Sequence, residues 1–271
     1  MVWSRPVGPP LVWSVIELID SAGEKRKFSL QEIPEERYEE ALCHMCSIFV
    51  KDETICRAMG YLFYAPHCVI NDPQSIETGR KLWGQALSQG ISVAAFEITK
   101  EDAEPTLAGM NVLVYVDEET DKAMKSLKVN SQIFSKFYLI HESIELFDTQ
   151  GKSKFADLLR YVMTISALAD PRKIYMVDKY LSALGLSVKP EYRRLGLGQK
   201  LLQLRDGIGK KYGIEYTSTV FSSPTSQSLA KKVGFKTDLE CPYEEALHED
   251  GTPLLPTLKG KSCKIMSKRI A

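Results

Sequence analysis

The chain has 271 residues, with 35 lysines and arginines balanced by 35 aspartates and glutamates, 44% hydrophobic and 26% charged residues. With no net positive charge it has no broad field to hold a phosphate backbone, so nucleic acid is not an expected partner. This is the composition of an ordinary folded protein, and it excludes disorder, collagen and coiled coil as the main architecture.

The first apolar run, Leu11 to Ile19, is broken by Ser14 and Glu17 and follows Pro9-Pro10. It is too short and too polar to cross a bilayer, and it lacks the basic flank and cleavage site of a secretory signal. The expectation is a cytoplasmic protein with no membrane partner. There the six cysteines, Cys43, Cys46, Cys56, Cys68, Cys241 and Cys263, stay reduced. Leu11 to Ile19 reads instead as a strand, followed after the turn Asp20 to Gly23 by a second, Lys27 to Ile33.

Pro34 opens a helix with Glu35 and Glu36 at its positive end. Apolar residues at Tyr38, Ala41, Leu42, Met45 and Phe49 are spaced to bury one face. Cys43-His44-Met45-Cys46, with Cys56 and His67-Cys68, contains enough donors for zinc. Cys43 and Cys46, however, fall within the helical apolar pattern, where cysteine behaves as a small hydrophobe, and no metal is expected. Asn71-Asp72-Pro73 forms a turn and Ile76 to Ser88 a second helix. Ile91 to Ile98 and Met110 to Val116 pair antiparallel across the acidic loop Glu101 to Gly109. Residues 117 to 170 carry helical spacing at Ile144 and Phe147, and again at Phe155, Leu158, Leu159 and Val162.

The order then changes to strand Tyr180 to Val188, helix from Gly196, strand Glu215 to Phe221 and helix from Ser226, closed by strands near Lys236 to Glu240 and Cys263 to Met266. Strand, helix, strand implies a parallel crossover in the middle of a mixed sheet. The expected fold is one α/β domain over residues 1–271, with an N-terminal extension over 1–26.

The segment Val188-Lys189-Pro190-Glu191-Tyr192-Arg193-Arg194-Leu195-Gly196-Leu197-Gly198 joins that strand to that helix. Its glycines let the backbone turn sharply and approach a ligand, and the free N–H groups at the helix start attract an anion beside Arg193 and Arg194. A bare Arg-x-x-Gly-x-Gly fits a surface turn equally well; its place between strand and helix favours an anionic ligand. No G-x-x-x-x-G-K-[ST] loop exists, and the third glycine of a dinucleotide fingerprint is missing.

This segment resembles the acetyl-CoA-binding motif of the GCN5-related N-acetyltransferases, and the order of elements is similar to theirs from Lys27 to the C-terminus. Within that superfamily, Phe49-Val50-Lys51-Asp52-Glu53-Thr54-Ile55 resembles the insect arylalkylamine (dopamine N-acetyltransferase-like) signature, an aromatic followed by Asp-Glu-Pro-Leu, with Thr54 in place of the proline. Glu249 to Pro253 and Met266 to Arg269 are similar to that group too. The resemblance implies a mostly antiparallel sheet with a parallel pair at its splayed centre and helices on both faces. It also implies acetyl-CoA as co-substrate, with Leu186, Ser187 and Val188 meeting the pantetheine arm through their backbone. Arg193, Arg194, Leu195, Gly196, Leu197, Gly198, Gln199 and Lys200 would form the pyrophosphate loop.

Acyl transfer to an amine needs the neutral amine, although a free alkylamine has a pKa near 10. A base must take the proton, and the resemblance assigns this to Glu53, which follows an apolar helix that can desolvate it. From pattern alone, Asp52 as the cap of a helix from Thr54 to Gly60, with Glu53 complementing its dipole, fits as well. Ser222 and Ser226 are implied in proton transfer and cofactor contact; as an isolated motif, Ser222 to Ser226 is a helix cap. Tyr61, Phe63, Tyr64 and Trp83 line an acceptor pocket or belong to the core. His44, His67, His141 and His248 read as structural or surface residues. No cysteine has the neighbours of an acyl-carrying nucleophile, so direct attack in a ternary complex is expected. The acceptor is expected to be a small arylalkylamine. A polyamine-like or protein amine, a longer acyl-CoA donor, and a non-catalytic acyl-CoA-binding module are the alternatives.

Overall fold

A computed structural model describes residues 3–58, 72–99, 104–125, 154–247 and 251–270. β1 (Val12–Ile19) and β2 (Lys25–Glu32) form an antiparallel hairpin turned at Gly23, which adopts positive φ. A 3-10 turn, Glu35–Arg37, leads into α1 (Tyr38–His44), a π turn (Met45–Phe49) and α2 (Val50–Asp52). The backbone extends at Glu53 and re-enters helix as α3 (Thr54–Ala58). α4 (Pro73–Leu87) starts at the predicted turn, with Asp72 capping the amides of Gln74 and Ser75.

β3 (Val93–Glu97) and β4 (Thr106–Val116) pair antiparallel as expected; α5 (Glu118–Lys125) and α6 (Lys154–Leu168) account for helical spacing after residue 117. Ile144 and Phe147 lie outside the described residues, as do Tyr61, Phe63, Tyr64, His67, Cys68, His141, His248, Glu249 and Asp250. A short α7 (Pro171–Ile174) precedes β5 (Tyr180–Val188), α8 (Leu197–Tyr212), β6 (Tyr216–Phe221), α9 (Pro224–Lys232), β7 (Lys236–Pro242) and β8 (Ser262–Arg269). Among the described residues, no helix is long and apolar enough to cross a membrane.

The eight strands form one mixed α/β sheet in the order β1-β2-β3-β4-β5-β6-β8-β7. Every neighbouring pair is antiparallel except β5 and β6, which are parallel and meet only at Leu181 and Thr217. β5 bulges at the same place: Leu186 faces Asn111 and Ala183 faces Leu113, so three residue steps on β5 oppose two on β4. The extra residue changes which face each side chain occupies. Leu181 and Ala183 before the bulge, and Leu186 and Val188 after it, all pack towards α8.

Helices cover both faces. Phe28, Val93 and Leu113 of the sheet pack with Leu201 and Ile208 of α8 on one side. On the other, Met45, Trp83, Leu87 and Phe155 from the helices pack on Met110 and Val112. The cysteines divide differently from the apolar pattern. Cys43 is exposed, its thiol against Glu39, whereas Cys46 is half-buried and its thiol is pushed up to about 11 by burial. Cys43 therefore does not act as a small core residue. Its position turns outward because the buried stripe of α1 runs through Ala41 and His44.

Candidate active site

The parallel partners β5 and β6 separate beyond Leu181, leaving a cavity of about 830 Å³. Its floor is Gly185 to Val188, and Glu53, Arg193, Ser222 and Ser226 stand around it. Gly185 has φ +139°, and a Cβ there would come within 2.6 Å of Met45 Cε and 3.0 Å of the Phe49 ring. Only glycine allows the bulge to sit this close to the π turn. Asn111 holds the bulge by donating from Nδ2 to Gly185 O at 2.8 Å. Trp83 Nε1 donates to Leu184 O at 3.0 Å, so this buried indole is both a cavity wall and a clamp on β5.

The break between α2 and α3 places Glu53. Its Oε2 accepts from Cys56 N at 2.7 Å, so Glu53 itself caps α3. This corrects the capping role read for Asp52, whose carboxylate instead pairs with Arg193 of the loop. Arg193 Nε also donates to Val188 O at 3.1 Å. One arginine thus joins the end of β5 to the residue beside Glu53.

Arg194 and Gly196 take left-handed φ of 67° and 83°, and Gly196 caps α8 with no side-chain acceptor for the first amides. The N–H groups of Leu197 and Gly198 therefore remain available to an anion at the positive end of a 16-residue helix. Leu197 is buried, so only its backbone can serve; Arg194 and Lys200 are exposed, with Leu195 and Gln199 half-buried. Leu186, Ser187, Val188 and Arg193 line the cavity, and Arg194 to Lys200 are not among its lining residues.

The loop is anchored from below. Tyr192 is buried and donates to Glu97 Oε2 at 2.8 Å, and Arg26 binds the same carboxylate at 2.6 and 2.9 Å. The bond from Arg26 holds Glu97 below the usual carboxylate range, and burial with the bond to Glu97 pushes Tyr192 up to about 12.

Ser222 and Ser226 reach the cavity from the turn after β6. Ser223 is the N-cap of α9: its hydroxyl accepts from Ser226 N at 3.1 Å, and Ser226 Oγ lies 3.2 Å from Ser223 N, closing a reciprocal box. Ser222 is fixed through its carbonyl, which accepts from Tyr243 at 2.7 Å. Tyr243 is buried, and burial, with Cys263 and Glu53 nearby, raises its hydroxyl. Tyr243, Asn111 and Arg205 belong to this region although no sequence pattern marks them. Each comes from a different element and acts only through tertiary contact.

No family model matches the chain, and no curated protein does. Among solved structures, a protein assigned as arylalkylamine N-acetyltransferase 7 of the yellow fever mosquito Aedes aegypti superposes with a TM-score of 0.77 at 27% identity, covering 99% of this chain and 100% of its own. The chain has the GCN5-related N-acetyltransferase fold, in its arylalkylamine N-acetyltransferase-like form. It is an N-acetyltransferase. Arylalkylamine N-acetyltransferase 2 of Aedes aegypti shares the fold at TM-score 0.67 and 20% identity, covering 90% of this chain and 99% of its own. So does a Drosophila melanogaster polyamine N-acetyltransferase, at 0.63 and 13%, covering 89% and 97%.

Proposed function

We propose that this N-acetyltransferase moves the acetyl group of acetyl-CoA to the primary amine of a small arylalkylamine-type acceptor, by direct attack in a ternary complex. The observation that carries the reading is the meeting, in one cavity, of Glu53, the unpaired side of Leu186 to Val188, and Arg193. The residues fit an acyl-CoA. The uncapped start of α8, with Arg193 and Arg194 beside it, suits a pyrophosphate. β5, whose only residue paired with β6 is Leu181, offers backbone groups to a pantetheine arm.

Glu53 takes the proton of the acceptor ammonium, directly or through water, and so frees the lone pair for attack. Ser222 and Ser226 line the same cavity, and in this reading they pass that proton on or contact the co-substrate. Trp83 and Phe49, edge to face at 6.0 Å, give the acceptor's ring an aromatic wall. The expected location is the cytoplasm.

A thiol-release assay with acetyl-CoA and a panel of amines tests this. Release should require an added arylalkylamine. Glu53→Gln, which keeps an acceptor for Cys56 N, should lower turnover by about 10²–10⁴-fold while acetyl-CoA binding stays intact. Tight acetyl-CoA binding with no amine-dependent release would identify a non-catalytic binding module instead.

A further inference from the structure

Arg205 of α8 is 1% exposed and sits beneath the bulge of β5. Its Nε donates to Asn111 Oδ1 on β4 at 3.1 Å, and its Nη1 to Thr217 Oγ1 and Thr219 Oγ1 on β6 at 3.2 and 2.9 Å. The guanidinium thus spans from β4 to β6 under the strand between them. Asn111 passes the contact on to Gly185 O, and Thr217 passes it to Leu181 O at 2.8 Å.

All three acceptors are neutral. No carboxylate among the described residues pairs with Arg205, the neighbouring Asp206 being bonded to Lys268 at 2.6 Å. Nη2 donates to none of the described residues, and Arg205 lines the cavity. A buried cation ordinarily has an anionic partner, because desolvation is otherwise uncompensated. Burial lowers this guanidinium to about 9, which leaves it charged at neutral pH.

The place of Arg205 says what partner it awaits. On the proposed function, on which this inference rests, the pantetheine arm runs from the Arg193 loop along Val188 towards Leu186, so its sulfur end arrives at the bulge. When the amine nitrogen bonds to the acyl carbon, the carbon–sulfur bond breaks and its electron pair stays on sulfur. Glu53 hands the ammonium proton to solvent before attack and takes the second nitrogen-bound proton as the tetrahedral adduct collapses, and the departing thiolate later takes a proton from solvent.

We propose that Arg205 is an anion site for the leaving thiolate, a fixed cation whose charge finds its partner only as the thioester breaks. Held by neutral acceptors, it needs no reorganisation to do so.

The test reads the thiol rather than turnover. Coenzyme A bound to the full-length protein is titrated by its ultraviolet thiolate absorbance, with the desulfo-coenzyme A complex subtracted to remove the protein's own cysteines. The bound thiol should titrate about 1 to 3 pH units below free coenzyme A. Arg205→Met should return it to the free value, and Arg205→Lys should keep part of the shift. A purely structural role for Arg205 would leave the midpoint unmoved in all three proteins.

A wild-type midpoint equal to that of free coenzyme A, or one equally low in Arg205→Met, overturns the proposal. If Arg205→Met does not fold, the wild type and Arg205→Lys decide it. A second arm compares succinyl- with butyryl-coenzyme A, which differ by a carboxylate at equal chain length. A preference of about tenfold or more for succinyl, with the thiol at its free midpoint, would assign the site to a fixed carboxylate and overturn the thiolate role. Failure of coenzyme A to bind at all would count against the proposed function itself.

Discussion

His44 is 3% exposed and neither ring nitrogen has a hydrogen-bond partner among the described residues, so its neutral form is favoured. Burial, aided by the positive charges of Lys189 and Arg193, lowers it from 6.5 to about 4. An unfolded chain therefore binds a proton between these values that the folded one refuses, and stability falls as pH drops through that window. The loss should reach about 3 kcal/mol by pH 4, and His44→Leu should remove this slope in denaturant melts across that range. At Gly185 the constraint is steric. Gly185→Ala places a Cβ in a backbone conformation reserved for glycine and against Met45 and Phe49. It should cost about 1–3 kcal/mol in chemical unfolding and raise the KM for acetyl-CoA, since the bulge is the floor of the cavity.

At the level of elements, helix starts do most of the positioning. α3 is capped by Glu53, α8 by Gly196 and α9 by Ser223; Glu53 and Ser223 line the cavity, and Gly196 follows Arg193, which does. The turn before α9 separates two serine roles that look alike in sequence. Ser223→Ala removes a cap and should cost about 1 kcal/mol in unfolding free energy. Ser222 is held by its carbonyl, so Ser222→Ala should change stability by less than about 0.5 kcal/mol. If its hydroxyl serves the proton path, turnover in Ser222→Ala falls while the melting curve does not move.

For the whole molecule, the sheet is joined at its centre by a single parallel register, Leu181 with Thr217, and a ligand filling the gap bridges its two halves. Acetyl-CoA at 100 times its Kd should stabilise the fold by about 2.7 kcal/mol, provided it binds only the folded chain. Thermal unfolding should register this as an upward shift in Tm. Arg193→Ala should shrink that shift at fixed ligand concentration. The loss of its exposed pair with Asp52 should by itself change stability of the free protein by no more than about 1 kcal/mol.

Local chemistry made much of this legible in advance. Strand alternation, Pro34, Asp72-Pro73 and the Gly196 turn each declare themselves within a few residues, because turn dihedrals and burial periodicity are properties of neighbours along the chain. The loop from Val188 to Gly198 is such a local device, and so is Glu53 after an apolar helix. Pattern alone admits Asp52 as a cap because its actual partner, Arg193, is 141 positions away. The buried cation of Arg205 was invisible for the same reason: in sequence it is one more polar residue on an amphipathic helix. Its acceptors Asn111, Thr217 and Thr219 come from two strands on either side of β5. The sequence by itself determined the α/β order, the crossover and the anion-binding turn. Only the tertiary structure decided where the sheet opens, which carboxylate caps and which pairs, and that a buried cation held by neutral acceptors and the Phe235 ring, with no carboxylate partner among the described residues, lies beneath the opening. Those depend on desolvation and on contacts between distant segments, which exist only once the chain has folded.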